Sequence, residues 1–215
     1  MHADSAYLLH RKAFSDSSEI LYYLTDSDGL LHVLAKGSKK NKSQFKGQLQ
    51  PFLPTCISWQ GRSSLKTLTQ AEQTGVFTSV SYPYHVSMLY LNELVMLLRI
   101  DESLFQDVYL HYRDALNALL NESDISHTLR QFEWRLCCLI GYELDLPQNV
   151  SEETFITFES QNGLIEDHQW RRCKASEFAQ FIENKTYNQK AVNWLMRQLI
   201  HHITQGKPIK SRELW

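Results

Sequence analysis

Nowhere in these 215 residues does an apolar run approach the roughly 20 residues that cross a bilayer as a helix, so no helical membrane anchor is expected. The opening, MHADSAYLLHRKAF, turns polar and charged within its first dozen residues. It has no apolar segment of the secretory kind, and export is not expected. Cysteine is scarce: Cys56, Cys137, Cys138 and Cys173. None forms a CxxC pair, which argues against a zinc ribbon or knuckle. Cys137 and Cys138 are neighbours on a helical pattern, face different ways and would rarely bridge, so the four cysteines read as reduced, mostly buried thiols of a cytosolic protein. The chain also lacks GxxxxGK(S/T), GxGxxG, GxSxG and HEXXH. Those absences remove the common phosphate-loop, dinucleotide, serine-hydrolase and zinc-protease sites. His201 and His202 adjoin on a predicted helix and cannot share a face. With His168 they read as surface histidines. Ser63–Ser64 has no base nearby in sequence, and Glu152–Glu153 lies in a polar stretch that reads as solvated loop. The balance favours a binding protein without catalytic, metal or cofactor residues.

What is present is enough to fold. Apolar residues make up 43% of the chain, and the length suits two modest cores. Charge is unevenly spread. Residues 1–75 carry nine Lys and Arg against six acids, and the remainder carries 13 against 18. A basic front and an acidic back suggest two surfaces with different partners. The most basic stretch is AKGSKKNKSQFKGQLQPF at 35–52, with Lys36, Lys39, Lys40, Lys42, Lys46, Gly37, Gly47 and no acid. Nothing else combines so much positive charge with so little apparent capacity to pack.

Around it the pattern is β. Ala6–Phe14, Glu19–Thr25, Leu30–Lys36, Pro51–Gln60 and Leu65–Glu72 are strand-like, and Asp26-Ser-Asp-Gly29 is a hairpin signal. Five short strands in so short a span fit a small closed barrel, for which the oligonucleotide-binding (OB) fold is the leading candidate. After Gly75 the period becomes helical, with helices expected over 84–100, 103–120, 126–142, 176–183 and 188–204 and a small hairpin near 155–165. The expected class is α+β multidomain: an OB barrel at 1–75, then a helical domain at 76–215.

A lysine-rich loop is often only a solvated face. Here no acids alternate with the lysines, two glycines permit close approach, and the loop sits at a barrel's rim. Lysines suit phosphates and not base edges, so sequence-independent, salt-sensitive nucleic-acid binding is expected. Arg11, Arg62 and Lys66 belong to the same basic front and are expected to share its nucleic-acid contacts. Lys207, Lys210 and Arg212 form a second cluster expected to extend the nucleic-acid footprint, and Arg171, Arg172 and Lys174 a third with little functional expectation. Phe45, Tyr7 and Phe52 are candidate stacking platforms; Trp59, in a strand, reads as core.

The basic segment, with Ala6-Tyr-Leu-Leu-His-Arg11 before it and Thr25-Asp-Ser-Asp-Gly29, resembles the N-terminal domain of the RecO family of bacterial recombination mediators. The long pattern AKG, basic run, K-G-x-L-Q-P-F carries the likeness. Leu65-Lys-Thr-Leu68, Tyr90-Leu-Asn-Glu-Leu94, Leu129-Arg-Gln-Phe-Glu133, Ile140-Gly-Tyr142 and Gly206-Lys-Pro-Ile-Lys-Ser-Arg-Glu-Leu214 extend it in order. The resemblance implies a non-enzymatic cytoplasmic, nucleoid-associated protein of the RecF pathway. Such a protein binds single- and double-stranded DNA, anneals complementary strands and helps load RecA onto strands coated by the single-stranded DNA-binding protein (SSB). It implies RecR and the acidic, Phe-ending SSB tail as partners, with RecA engaged indirectly. It maps DNA contacts to Lys36, Lys39, Lys40, Lys42 and Lys46, and a tail site to Arg130 with Leu129 and Phe132. Many relatives carry a four-cysteine zinc site after the third helix; Leu144–His168 has no cysteine, so zinc is not expected. Relatives often continue beyond the position of Trp215 with a basic extension, and contacts made there are not expected here. Two other readings compete: an adaptor whose basic loop binds an acidic protein, and a nuclease, for which the acidic metal-binding constellation is missing.

Overall fold

The structure is a computed structural model that describes residues 2–76, 78–98, 100–148 and 150–215. It forms two compact units, Met1–Glu122 with Lys210–Trp215, and Ser123–Ile209. The sequence alone suggests a boundary at the end of the barrel; the first unit instead runs through two further helices.

Strands β1 (His2–Ala13), β2 (Glu19–Thr25), β3 (Leu30–Ala35), β4 (Pro54–Gln60) and β5 (Leu65–Gln73) close a barrel in the order β1-β2-β3-β5-β4. All pairs are antiparallel except β3 with β5, where His32 pairs with Leu65 and Leu34 with Thr67. This five-stranded closed barrel is the OB fold. Period-two alternation builds it. Leu21, Tyr23, Leu31, Val33 and Ala35 point inward and meet Ala6, Leu8, Ile57, Trp59 and Leu68. The β2–β3 turn needs its glycine for two reasons. Gly29 has φ +69°, and a Cβ there would lie 2.9 Å from the Phe105 ring. The Gly29 carbonyl accepts from both the Thr25 amide at 2.9 Å and the Thr25 hydroxyl at 2.8 Å.

Helices α1 (Tyr82–Leu97) and α2 (Phe105–Leu120) complete the first unit. A bulge between Leu8 and His10 interrupts the β1–β2 register. The Leu9 carbonyl there accepts from Asn92 Nδ2 at 2.9 Å, and Asn92 Oδ1 accepts from the Tyr112 hydroxyl at 2.6 Å. All three residues are buried. A C-terminal 3-10 turn, Lys210–Leu214, is held by the Glu93 carboxylate. It accepts from the amides of Lys210 and Ser211, each at 2.8 Å.

In the second unit, α3 (Ile125–Leu139) starts at Asp124, whose carboxylate accepts from the His127 amide at 2.6 Å. A three-stranded sheet, β6 (Phe155–Glu159), β7 (Gly163–Glu166) and β8 (Cys173–Lys174), has β6 in the middle. The sequence reading anticipates its hairpin but not β8. Helices α4 (Ala175–Ile182) and α5 (Gln189–Ile203) follow, and Trp134, Phe178 and Phe181 pack ring to ring. No helix among the described residues is long and apolar enough to cross a membrane.

Asn92 ties α1 and α2 to the barrel by donating and accepting at once. Replacing it with Leu strands the Leu9 carbonyl and the Tyr112 hydroxyl in the core. The expected cost is about 3 kcal/mol, read as a lower urea midpoint with unchanged slope.

Candidate nucleic-acid interface

The segment between β3 and β4 is a chain of tight turns. Amides of Lys40, Ser43, Lys46 and Gln48 each donate to the carbonyl three residues back, at 3.0–3.1 Å. Its apolar residues turn inward: Phe45 and Leu49 are 3% and 5% exposed within the barrel core. The segment therefore packs well, contrary to its composition, because its Phe and Leu plug the barrel while its lysines point out. Lys36, Lys39, Lys40, Lys42 and Lys46 are all exposed. None of the five forms an ion pair among the described residues.

The same packing corrects the expected stacking platforms. Phe45, Tyr7 and Phe52 are buried, as is Trp59. Tyr7 lies against Tyr109 and Tyr112, and Phe52 meets His85 edge-on. These rings have no face left for a base.

The turn after β1 anchors the loop. Lys39 donates from its ammonium to the Ser15 carbonyl at 3.0 Å and from its amide to the Ser17 carbonyl at 3.1 Å. Gly37 donates its amide to the Ser18 hydroxyl at 3.2 Å. Beneath it lies Glu19, with its side chain 9% exposed. Its carboxylate accepts from Arg11 Nε at 3.0 Å, Arg11 Nη2 at 2.9 Å and the Ser38 hydroxyl at 2.8 Å. Arg11 is thus first a clamp on the loop's base, although half of its side chain remains exposed. The Arg11 hydrogen bonds hold the Glu19 carboxyl below its ordinary range against the opposing effect of burial, and the Ser38 hydroxyl assists.

The other predicted cations disperse. Arg62 is exposed in the turn that starts β5, whereas the lysine segment leaves the end of β3. Because those strands run parallel, Arg62 lies at the opposite end of that ladder. Lys66 is half-buried beside Val33. Lys207 belongs to the second unit, Lys210 and Arg212 to the first. Arg212 Nη2 donates to the Tyr90 hydroxyl at 3.1 Å, with its guanidinium 5.4 Å from the ring centre. In the second unit Arg171 lies over Phe155, Arg172 over Trp194, and Lys174 pairs with Glu153.

The tail-site residues sit differently from the sequence reading. Arg130 is buried and pairs with the fully buried Glu133 at 2.6 Å. Its Nε is buried without a hydrogen-bond partner among the described residues. Leu129 and Phe132 are 5% and 2% exposed. They are core side chains of α3 and not an open groove wall, because the apolar stripe that looked available is the one the helix packs with. The sequence reading missed an open groove of about 500 Å³ lined by Phe158, Trp194, Arg197, His201 and His202. Its signals were Trp194 and Arg197, three apart on α5, and the His201–His202 pair, which the sequence reading took only as surface histidines.

Burial pushes the Cys137 thiol well up, Cys138 up to about 11 and Cys173 up to about 12. None is a thiolate near neutral pH. Cys56 is exposed, unlike the buried thiols expected. Among the described residues no three His, Cys, Asp or Glu side chains converge to hold a metal.

An OB barrel carrying this cationic loop, joined to a helical region, defines the class. Comparison with known proteins gives the family. Residues 1–77 match the family model described as Recombination protein O N terminal. The chain is 31% identical over 224 residues to the DNA repair protein RecO of Yersinia pestis (strain Pestoides F), covering 98% of this chain and 92% of that one. It is 32% identical over 223 residues to the DNA repair protein RecO of Pasteurella multocida (strain Pm70), covering 97% and 92%. The chain belongs to the RecO family, which assigns it to DNA repair and recombination.

Glu19→Gln tests the loop's anchor. A carboxyl with a lowered folded pKa contributes stability that is present above its ordinary value of 4.5 and lost as pH falls through the folded value. The variant is expected to unfold earlier in urea at pH 7, and the gap from the unsubstituted protein should close below pH 4.5.

Proposed function

We propose that this protein binds single- and double-stranded DNA through its lysine segment, anneals complementary strands, and helps load RecA onto SSB-coated single strands without itself catalysing a reaction. The observation that carries the reading is the set of exposed lysines, none in an ion pair among the described residues, on a loop plugged into the barrel by Phe45 and Leu49. Phosphates are the ligands such a surface suits. Each neutralised phosphate releases counterions, so affinity falls steeply with salt. A cationic surface that holds two strands lowers the repulsion between their phosphates. Weak, sequence-independent contacts then let the strands search for register before bases pair. No bond to the protein is needed, and no phosphate loop implies ATP. RecR is the further partner in this reading, and RecA is engaged through the DNA and SSB.

Lys40, Lys42 and Lys46 replaced together by Gln test it, with Lys39 spared because it also holds the Ser15 carbonyl. The log–log salt slope for a single strand should shrink by about 2, and annealing at low salt should slow at least tenfold. An unchanged slope and rate would defeat the loop's role and favour an acidic protein as its partner.

The acidic SSB tail is proposed to place a carboxylate on Arg130, exchanging it for Glu133. Removing Arg130 alone leaves a buried carboxylate, so the test uses Arg130→Met with Glu133→Gln, and Arg197→Ala as the comparison. Anisotropy with an acidic, Phe-ending peptide should show the double variant binding at least about tenfold more weakly, as for a lost charge-assisted hydrogen bond. Arg197→Ala should bind normally. The opposite pattern rejects Arg130 and moves the tail to the α5 groove.

A further inference from the structure

We propose that the outer face of β1, β2 and β3 is a base-stacking platform for single-stranded nucleic acid, built from His10, Tyr22 and His32. The proposal rests on the DNA-binding reading and adds to it where the bases go. Register places the three side chains in one row across adjacent strands, His10 opposite Tyr22 and Tyr22 opposite His32. Their rings lie 5.5 Å and 4.5 Å apart, centre to centre. Unlike Phe45 and Trp59, they face away from the barrel core, and unlike Tyr7 and Phe52 they are not covered: His10 is exposed, and Tyr22 and His32 are half-buried.

Chemistry and position select the occupant. The next row toward the barrel end is Lys12, Ile20 and Leu34, so the outward positions here hold a cation and aliphatic surface but no carboxylate. Strand β3 then leads directly from His32 to Ala35 and into Lys36. Three residues of strand place the ring row about 10 Å from the start of the cationic segment. A ring-bearing, acid-free sheet face beside a cationic loop matches a polymer with π faces on one side and phosphates on the other. A duplex keeps its bases stacked inside and offers this face nothing, so the platform distinguishes strand from duplex, which lysines alone do not.

The test uses the full chain and anisotropy with three labelled probes: an oligothymidylate, an abasic strand of equal length, and a duplex. The unsubstituted protein is expected to bind the thymidylate strand at least about tenfold tighter than the abasic one, given typical base–aromatic stacking. His10→Ala/Tyr22→Ala/His32→Ala should erase that difference while leaving duplex affinity and salt slope unchanged. Lys40/Lys42/Lys46→Gln should weaken all three probes and keep the preference for bases. Tyr22→Phe, which retains the ring, should behave as the unsubstituted protein. Should the triple variant melt early, single His10→Ala and His32→Ala variants carry the test with proportionally smaller losses. Equal affinity of the unsubstituted protein for thymidylate and abasic strands overturns the platform, as does a variant that keeps the preference; the phosphate reading survives either result. Failure of the folded protein to bind any probe overturns the DNA reading itself.

Discussion

The barrel core is completed by side chains from outside the sheet. Phe45 and Leu49 come from the connection between β3 and β4 and bury against Leu8, Tyr23 and Trp59. Without them the barrel would expose apolar surface at that end; with them, the backbone between and around them is fixed. Five lysines within a short span repel one another, and the burial of two apolar residues together with the Glu19–Arg11–Ser38 cluster holds them in place nonetheless. The cationic surface is therefore preorganised, and a polyanion that binds it need not first order the loop.

This arrangement accords with the DNA repair and recombination role of the family. The lysines project from a rigid base, the outward rings of β1–β3 continue the surface, and the buried thiols are kept protonated. The second unit has a different character: a buried ion pair on α3 and an open groove on α5 with an arginine beside rings. Family membership supplies the repair and recombination role.

Much of this was legible beforehand. Alternation marked β2 at Glu19–Thr25 and β5 from Leu65, and helical spacing marked α2, α3 and α5 to within a few residues. Asp26–Gly29 turned as its residues demand. The pattern AKG to QPF pointed to the family that comparison then gave. The start of β1 was not legible: His2–Ser5 is polar and becomes strand because it pairs with β4, His2 opposite Trp59. The link of Arg212 to Tyr90 was not legible either, because it joins residues far apart in the chain. Leu129 and Phe132 showed only that α3 has an apolar stripe, not that its own unit would cover it.

The sequence by itself determined the barrel, the succession of helices, the concentration of positive charge and the family, since each is written in local period, turn chemistry or contiguous motif. Tertiary structure alone decided which of those residues face solvent. Burial depends on what lies across a core, and that partner is remote in sequence. Phe45 became a plug, Arg11 a clamp and Arg130 half of a buried pair, while His10, Tyr22 and His32, unremarkable in three separate strands, became one surface.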